Sequence, residues 1–242
     1  MDDSGSVISV TAMQLERHLD WLASGRVHVV PLTSLVSHAG DDDTIALTFD
    51  DGFANFSAVA APLLRDRGLP ATVFVVPSRV GGTNAWDASD GVGSIPSLPL
   101  MSWEDIRGVA QDGIEIGGHG FTHASLAGRD APSLAMEIEE CISIIEASTG
   151  KRPSTFAYPY GRADNAAVAA VSKSYSVACT TRFDFVTDLD DAHALPRLDT
   201  YYFRDNRILE EWGTSRFAAY VKLRKAGRSV KSAVGFATHR HT

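Results

Sequence analysis

The sequence predicts an α/β fold: a layer or barrel of parallel strands joined by crossover helices. Short apolar, strand-like runs alternate with amphipathic helical stretches along most of the chain. No fixed-period repeat and no interdomain linker interrupts that rhythm. The 242 residues, 44% hydrophobic and 21% charged, suit one domain with a sizeable core.

In chain order, MQLERHLDWLASG sets Met13, Leu15, Leu19 and Leu22 between charges and reaches Gly25, an amphipathic helix closed by glycine with His18 on its surface. TIALTF, residues 44–49, reads as a buried strand, SAVAAPLLRDRG as a helix ending at Gly68, and ATVFVVP as the next strand. From Gly81 to Pro99 the chain is rich in Gly, Ser, Asp and Pro, a long loop of the kind that often carries function. SWEDIRGVAQDG opens on a capping box, Ser102 with Asp105 in place of the usual Glu. IEIGGHGFTH is a short strand broken at its double glycine. PSLAMEIEECISIIEASTG is a long helix ending at Gly150, followed by strand STFAYPYG, helix NAAVAAVSKS and strands SVACTT and HALPRLD.

The net charge of -8 argues against a nucleic-acid surface, which normally shows a basic footprint. Cys141 and Cys179 lie far apart in neither metal-ligand nor disulfide-framework spacing, so both read as small core residues. MDDSGSVISV has no basic region followed by an apolar one, and no segment is long and apolar enough to span a bilayer. The expectation is a cytoplasmic chain, or an extracellular or cell-envelope one if an export signal has been removed.

The stretch TIALTFDDGFANF places Asp50 and Asp51 side by side at a strand end. Two ionised neighbours repel, more strongly when half-buried, so the pair calls for a neutralising partner or a chemical use. A solvated Asp-Asp-Gly turn is the ordinary alternative. In α/β folds, side chains at the carboxyl ends of strands converge on one face. His119 and His123 follow IEIGG there, YPYG follows STFA, and Arg197 lies on the last strand. Two imidazoles and one carboxylate on a metal leave a position open for water, the pattern of a catalytic zinc site. One aspartate can then bind the ion while its neighbour serves as general base towards a water acidified by the metal.

TFDDG at 48–52, HGFTH at 119–123 and FAYPYG at 156–161 together resemble the motifs of the polysaccharide deacetylases, the NodB-homology or carbohydrate esterase family 4 enzymes. The resemblance runs from about Leu15 to about Leu198 and is nearest to the branch of poly-N-acetylglucosamine deacetylases. It implies a distorted (β/α) barrel in a single catalytic domain over 1–242, with a core of about 15–200 and a helical tail of about 205–242. It also implies metal-dependent removal of the N-acetyl group from an N-acetylhexosamine, N-acetylglucosamine foremost, in a glycan or glycoconjugate. By that resemblance Asp50 is the base, Asp51, His119 and His123 hold the metal, and the Tyr160 backbone N–H faces the oxyanion. Zn2+ is the expected ion, and the same donors accept Co2+, Ni2+ or Fe2+. Substrate contacts are expected from Trp86, Asp87, Tyr158 and Pro159, with anchoring of the long loop the alternative for Trp86.

Two departures stand out. Many members carry an arginine at the position of Ala157 to hold the catalytic aspartate; here Arg197, in ALPRLD, could take that role. The general acid is also open, because the C-terminal Leu-x-His motif of many members is missing and no Tyr-His strand precedes VTAMQLERHLDWL. Either the chain begins downstream of that strand, or another group serves, with His193 a substitute candidate and His239 and His241 in the tail, or Asp50 returns the proton itself. The basic run KLRKAGRSVK could meet an anionic headgroup or form a solvated helix face. A hydrolase of non-sugar amides or cyclic imides, and a glycan-binding protein without turnover, remain alternatives.

Overall fold

The computed structural model describes residues 10–41, 43–86 and 96–238, with side chains described as far as residue 228. Helix α1 (Ala12–Ala23) starts at a capping box in which the Thr11 hydroxyl accepts from Gln14 N at 3.2 Å and Gln14 Oε1 accepts from Thr11 N at 2.9 Å. Strands β1 (His28–Val29) and β2 (Thr44–Ile45) pair in parallel around the short helix α2 (Leu32–Leu35). The main sheet begins with β3 (Thr48–Phe49). TIALTF is therefore two strands rather than one. Its first half pairs with β1, and at Leu47, whose carbonyl accepts from Thr72 N at 2.9 Å, the chain passes to another partner.

The wide turn Phe56–Ala60 leads into α3 (Ala61–Asp66), and β4 (Thr72–Val75) follows. Helix α4 (Trp103–Gln111) starts at the expected Ser102–Asp105 capping box. Then come β5 (Glu115–Gly118), α5 (Ala131–Thr149) closed by left-handed Gly150, β6 (Thr155–Ala157), α6 (Asn165–Val171), β7 (Val177–Cys179) and α7 (Ser215–Thr238). HALPRLD is not a strand. Only Leu195 pairs, as a single parallel bridge to Cys179; beyond it Arg197 N donates to Arg182 O rather than to Thr180 O, which accepts from the Arg197 side chain.

All five strands of the main sheet are parallel and their order, β3-β4-β5-β6-β7, follows the chain. A doubly wound sheet reverses direction at a switch point; this one never does, so it curls as part of a barrel. Alternation along the strands sorts the two faces. Val73, Val75, Phe156 and Ala178 face the helices, whereas Phe74, Ala157, Val177 and Cys179 pack inside with Leu32 and Leu195. Both cysteines are free and buried, as expected. Among the described residues no helix is long and apolar enough to cross a membrane.

The double glycine does not break β5; it completes the strand. A Cβ on Gly117 would lie 2.5 Å from Phe74 Cδ1 and 2.8 Å from the Thr155 hydroxyl, and one on Gly118 would strike the Tyr175 hydroxyl. Side chains there would push the sheet apart just before His119.

His18 departs from its expected surface position. It is 4% exposed and its Nε2 lies 2.8 Å from the Phe203 carbonyl. The spacing explains this: Leu15, His18 and Leu22 share one helical stripe, so the ring goes inward with its neighbours. Burial lowers its pKa from 6.5 against the opposing pull of the Phe203 carbonyl, and a neutral ring donates Nε2–H to that oxygen. Two results are expected for His18→Leu. At pH 8 the unpaired Phe203 carbonyl lowers unfolding free energy by about 1–3 kcal/mol. Below pH 6.5 the wild type loses stability, since its unfolded chain takes up a proton that the folded ring resists, and the variant lacks that component of the slope. Urea melts between pH 5 and 8 measure both.

Candidate active site and metal centre

The polar residues of the three motifs meet at the carboxyl ends of β3, β5 and β6. Asp50 and Asp51 follow β3 directly, and Gly52 N closes a tight turn onto Asp50 O at 2.9 Å. Asp51 has a left-handed backbone, φ 71°. His123 (φ 68°) and Tyr160 (φ 59°) share that conformation, and no other non-glycine residue among the described ones does. Such backbones each cost on the order of 1–3 kcal/mol and persist where surrounding structure enforces them. Here all three fall in one site.

Asp51 Oδ1 lies 3.3 Å from His119 Nε2 and 3.2 Å from His123 Nε2, and one donor atom from each residue lies within 4.8 Å of the others. Asp51 Oδ1 is buried yet makes no well-directed hydrogen bond. The three groups therefore point at a common spot rather than at one another. That is how the donors of a three-ligand centre are disposed, and the carboxylate with two imidazoles is a donor set suited to zinc and its neighbours. Burial would raise the Asp51 pKa, but the two imidazoles beside it hold it well below the usual carboxylate range. Burial also depresses His123, helped by the charge of His119, whereas in His119 burial is outweighed by Asp51 and Asp50.

His119 is oriented by a further bond: its Nδ1 lies 2.6 Å from the Ala157 carbonyl, which leaves Nε2 for the centre. His123 is hemmed in by rings, with Trp86 at 4.3 Å, Tyr160 edge-on at 4.7 Å and His119 edge-on at 4.9 Å between centroids.

Asp50 is gripped by Arg197, whose Nη1 and Nη2 donate to its two carboxylate oxygens at 2.6 and 2.8 Å. Arg197 Nε in turn donates to Thr180 O at 2.9 Å. The pair is 32% and 17% exposed, respectively. Burial alone would raise the Asp50 pKa; the Arg197 guanidinium overrides it and keeps the group ionised through the neutral range. Ala157 is fully buried in the barrel interior against Phe74 and Cys179, so an arginine reaches Asp50 from the segment after β7 instead.

Other expected residues lie elsewhere. Tyr158 is fully buried and donates its hydroxyl to His193 O at 2.9 Å, and Pro159 is buried beneath Gly120. Both sit in the turn before Tyr160 and are buried, Tyr158 under side chains of α5 and α6, so neither offers a face to a substrate. Trp86 is half-buried with its ring over His123; Asp87 lies outside the described residues, as do His239 and His241. His193 bonds to Tyr175 O at 3.0 Å, ahead of β7, and to Asp191, at the opposite end of the sheet from Asp50. The basic run lies on α7, where Arg224 covers the Tyr202 and Tyr220 rings, Lys225 pairs with Asp184 and Arg228 donates to Thr181 O at 3.2 Å.

Sequence reasoning passed over Glu137, a carboxylate 1% exposed on the inner stripe of α5 that holds Thr122, next to His123. The signal was present: a lone acid among Leu134, Ile138, Cys141 and Ile145.

Known proteins resemble this chain in sequence and in fold. The Bacillus subtilis (strain 168) protein YxkH, which carries the name of a polysaccharide deacetylase, is 23% identical over 92% of this chain and 74% of its own. A chitin deacetylase of Pestalotiopsis sp is 28% identical over 54% of this chain, an alignment that covers 39% of that enzyme. The Streptococcus pyogenes deacetylase PplD, solved with acetate, has the same fold at a TM-score of 0.68 and 16% identity, covering 82% of this chain and 86% of that one. The family model for polysaccharide deacetylase matches residues 37–177, more than half of the sequence and all three motifs. With two of its residues paired across one carboxylate and a third motif beneath them, this chain belongs to the polysaccharide deacetylase family.

Proposed function

We propose that the chain is a metal-dependent hydrolase that removes the acetyl group from an N-acetylhexosamine, N-acetylglucosamine foremost, in a glycan or glycoconjugate. The observation that carries this reading is the adjacency of two differently held aspartates: Asp51 faces two imidazoles, while Asp50 is clamped by Arg197. Asp51, His119 and His123 would hold a divalent cation, Zn2+ by preference. Bound there, such an ion supplies Lewis-acid charge and lowers the pKa of water towards neutrality.

The remaining work belongs to the chain. Asp50, ionised and oriented by Arg197, takes the proton from the attacking water. The Tyr160 N–H, set by the left-handed turn after Pro159, is the donor for the oxyanion. Asp50 then carries its proton to the leaving amine, because His193 is turned away from the site. Trp86, whose ring lies over His123, is the aromatic face nearest the centre for a sugar ring to meet.

Acetate release from N-acetylglucosamine oligomers tests this reading. Metal-stripped protein should be inactive, and stoichiometric Zn2+ should restore it. Zinc bound at one equivalent with no acetate from any oligomer or small N-acetylglucosaminide would reject the substrate class; equal activity with and without metal would reject the mechanism.

A further inference from the structure

The two histidines are held differently. His119 has its own orienting bond, Nδ1 to the Ala157 carbonyl. His123 has none among the described residues: its Nδ1 is buried without a hydrogen-bond partner. Rings pack around it, but ring contacts restrict tilt without fixing direction, and its left-handed backbone, φ 68°, is a conformation that surrounding structure has to enforce. Metal-ligating histidines ordinarily owe their orientation to an outer hydrogen bond. Something else must supply it here.

The neighbouring residue shows what does. Thr122 donates its backbone N–H to Glu137 Oε2 at 3.0 Å and its hydroxyl to Glu137 Oε1 in a short bond. Both oxygens of one buried carboxylate are thus spent on the residue before His123. Gly120, at φ 74°, leaves room for that carboxylate: a Cβ there would stand 3.1 Å from Glu137 Oε2. Glu137 projects from the middle of α5, a helix packed on β5 itself, so the loop from His119 to His123 is tied to a rigid element at its centre. A carboxylate in an otherwise apolar stripe is costly to bury, and an apolar residue would serve packing at least as well.

Building on the proposed function, we propose that Glu137 is the positioning residue of the metal centre, its buried carboxylate fixing Thr122 and thereby holding His123 in its ligating pose. It does through the backbone what the Ala157 carbonyl does directly for His119.

The test is zinc affinity, measured by competition with a chromogenic chelator, for wild type, Glu137→Leu, Glu137→Gln and, as a control, Glu115→Gln. Glu115 also anchors a polar network, accepting from Thr72, Ser154 and Thr155 at 2.8, 3.0 and 3.1 Å, but at the start of β5, away from the histidines. Glu137→Leu should keep its far-ultraviolet circular dichroism and weaken zinc binding about 10–100-fold, with Glu137→Gln weakened less. The Co2+ forms should show altered visible bands in the same order. Glu115→Gln should lose thermal stability and keep wild-type zinc affinity. Zinc affinity within about threefold of wild type in both folded Glu137 variants would overturn the proposal, as would equal weakening in Glu115→Gln. If Glu137→Leu does not fold, Glu137→Gln decides alone. A wild type that binds no zinc fails the functional reading itself, a result distinct from a wild type that binds it regardless of Glu137.

Discussion

Asp50→Asn is expected to lower kcat on N-acetylated oligomers by about 10²–10⁴-fold, the range for loss of a general base, while zinc affinity stays at the wild-type level. The two parts of that result separate the neighbouring aspartates. Asp51 alone of the pair faces the imidazoles, and Asp50 spends both oxygens on Arg197. Asparagine keeps the size and one acceptor for the guanidinium, so the variant should fold and bind metal, but it cannot take a proton from water. Asp51→Asn should do the reverse and lose zinc first. The pair of titrations, acetate release and chelator competition, gives a cross pattern that no general damage to the site can imitate. If Asp50→Asn retained turnover, the base would have to be sought elsewhere, and the clamp on Asp50 would be structural.

The fold and the site were legible in the sequence to different depths. Strand and helix alternation gave the parallel α/β class because each crossover helix carries its own 3.6-residue pattern, which local periodicity reports directly. The ends of elements were less legible. TIALTF reads as one apolar run, yet where it changes partners depends on which strand lies beside Leu47, a fact of the whole sheet. His18 lies inward because its place on the Leu15–Leu22 stripe outweighs the polarity of its ring. At the site, Asp50, Asp51, His119 and His123 could be named because they fall at predicted strand ends, where the topology brings side chains together. The contacts that hold them, Ala157 O on His119 and Glu137 on Thr122, are backbone-mediated. No residue type advertises them. Tyr158 and Pro159 illustrate the converse: residues within a motif can be there for the turn that presents Tyr160 rather than for the substrate.

Arg197 lies 147 residues from Asp50, and its removal should be visible in the pH profile as well as in the rate. The proposed role of Asp50 as base requires the carboxylate. In the wild type, burial raises its pKa but the guanidinium outweighs burial, so the acid limb of kcat/KM is expected below the ordinary aspartate range. In Arg197→Met the main counter-charge is gone, so burial, the largest influence on Asp50, is opposed only by His119 and joined by the charge of Asp51, and the balance turns towards the protonated acid. The limb therefore moves to higher pH, and activity is lost as pH falls through a range where the wild type is still fully active. Loss of the two-point grip also frees the carboxylate to turn, and a displacement of about 1 Å at a reacting group can cost about 10²-fold in kcat even at alkaline pH. Arg197→Lys splits the two effects. Its charge should keep the acid limb near the wild-type position, but an ammonium cannot reproduce a planar fork holding two oxygens, so kcat should still fall. Measured from pH 4 to 9 on one oligomer, a limb that shifts in the methionine variant and not in the lysine variant assigns Arg197 to Asp50 ionisation and to its orientation separately. Unshifted limbs in both would mean that the group titrating in turnover is not Asp50.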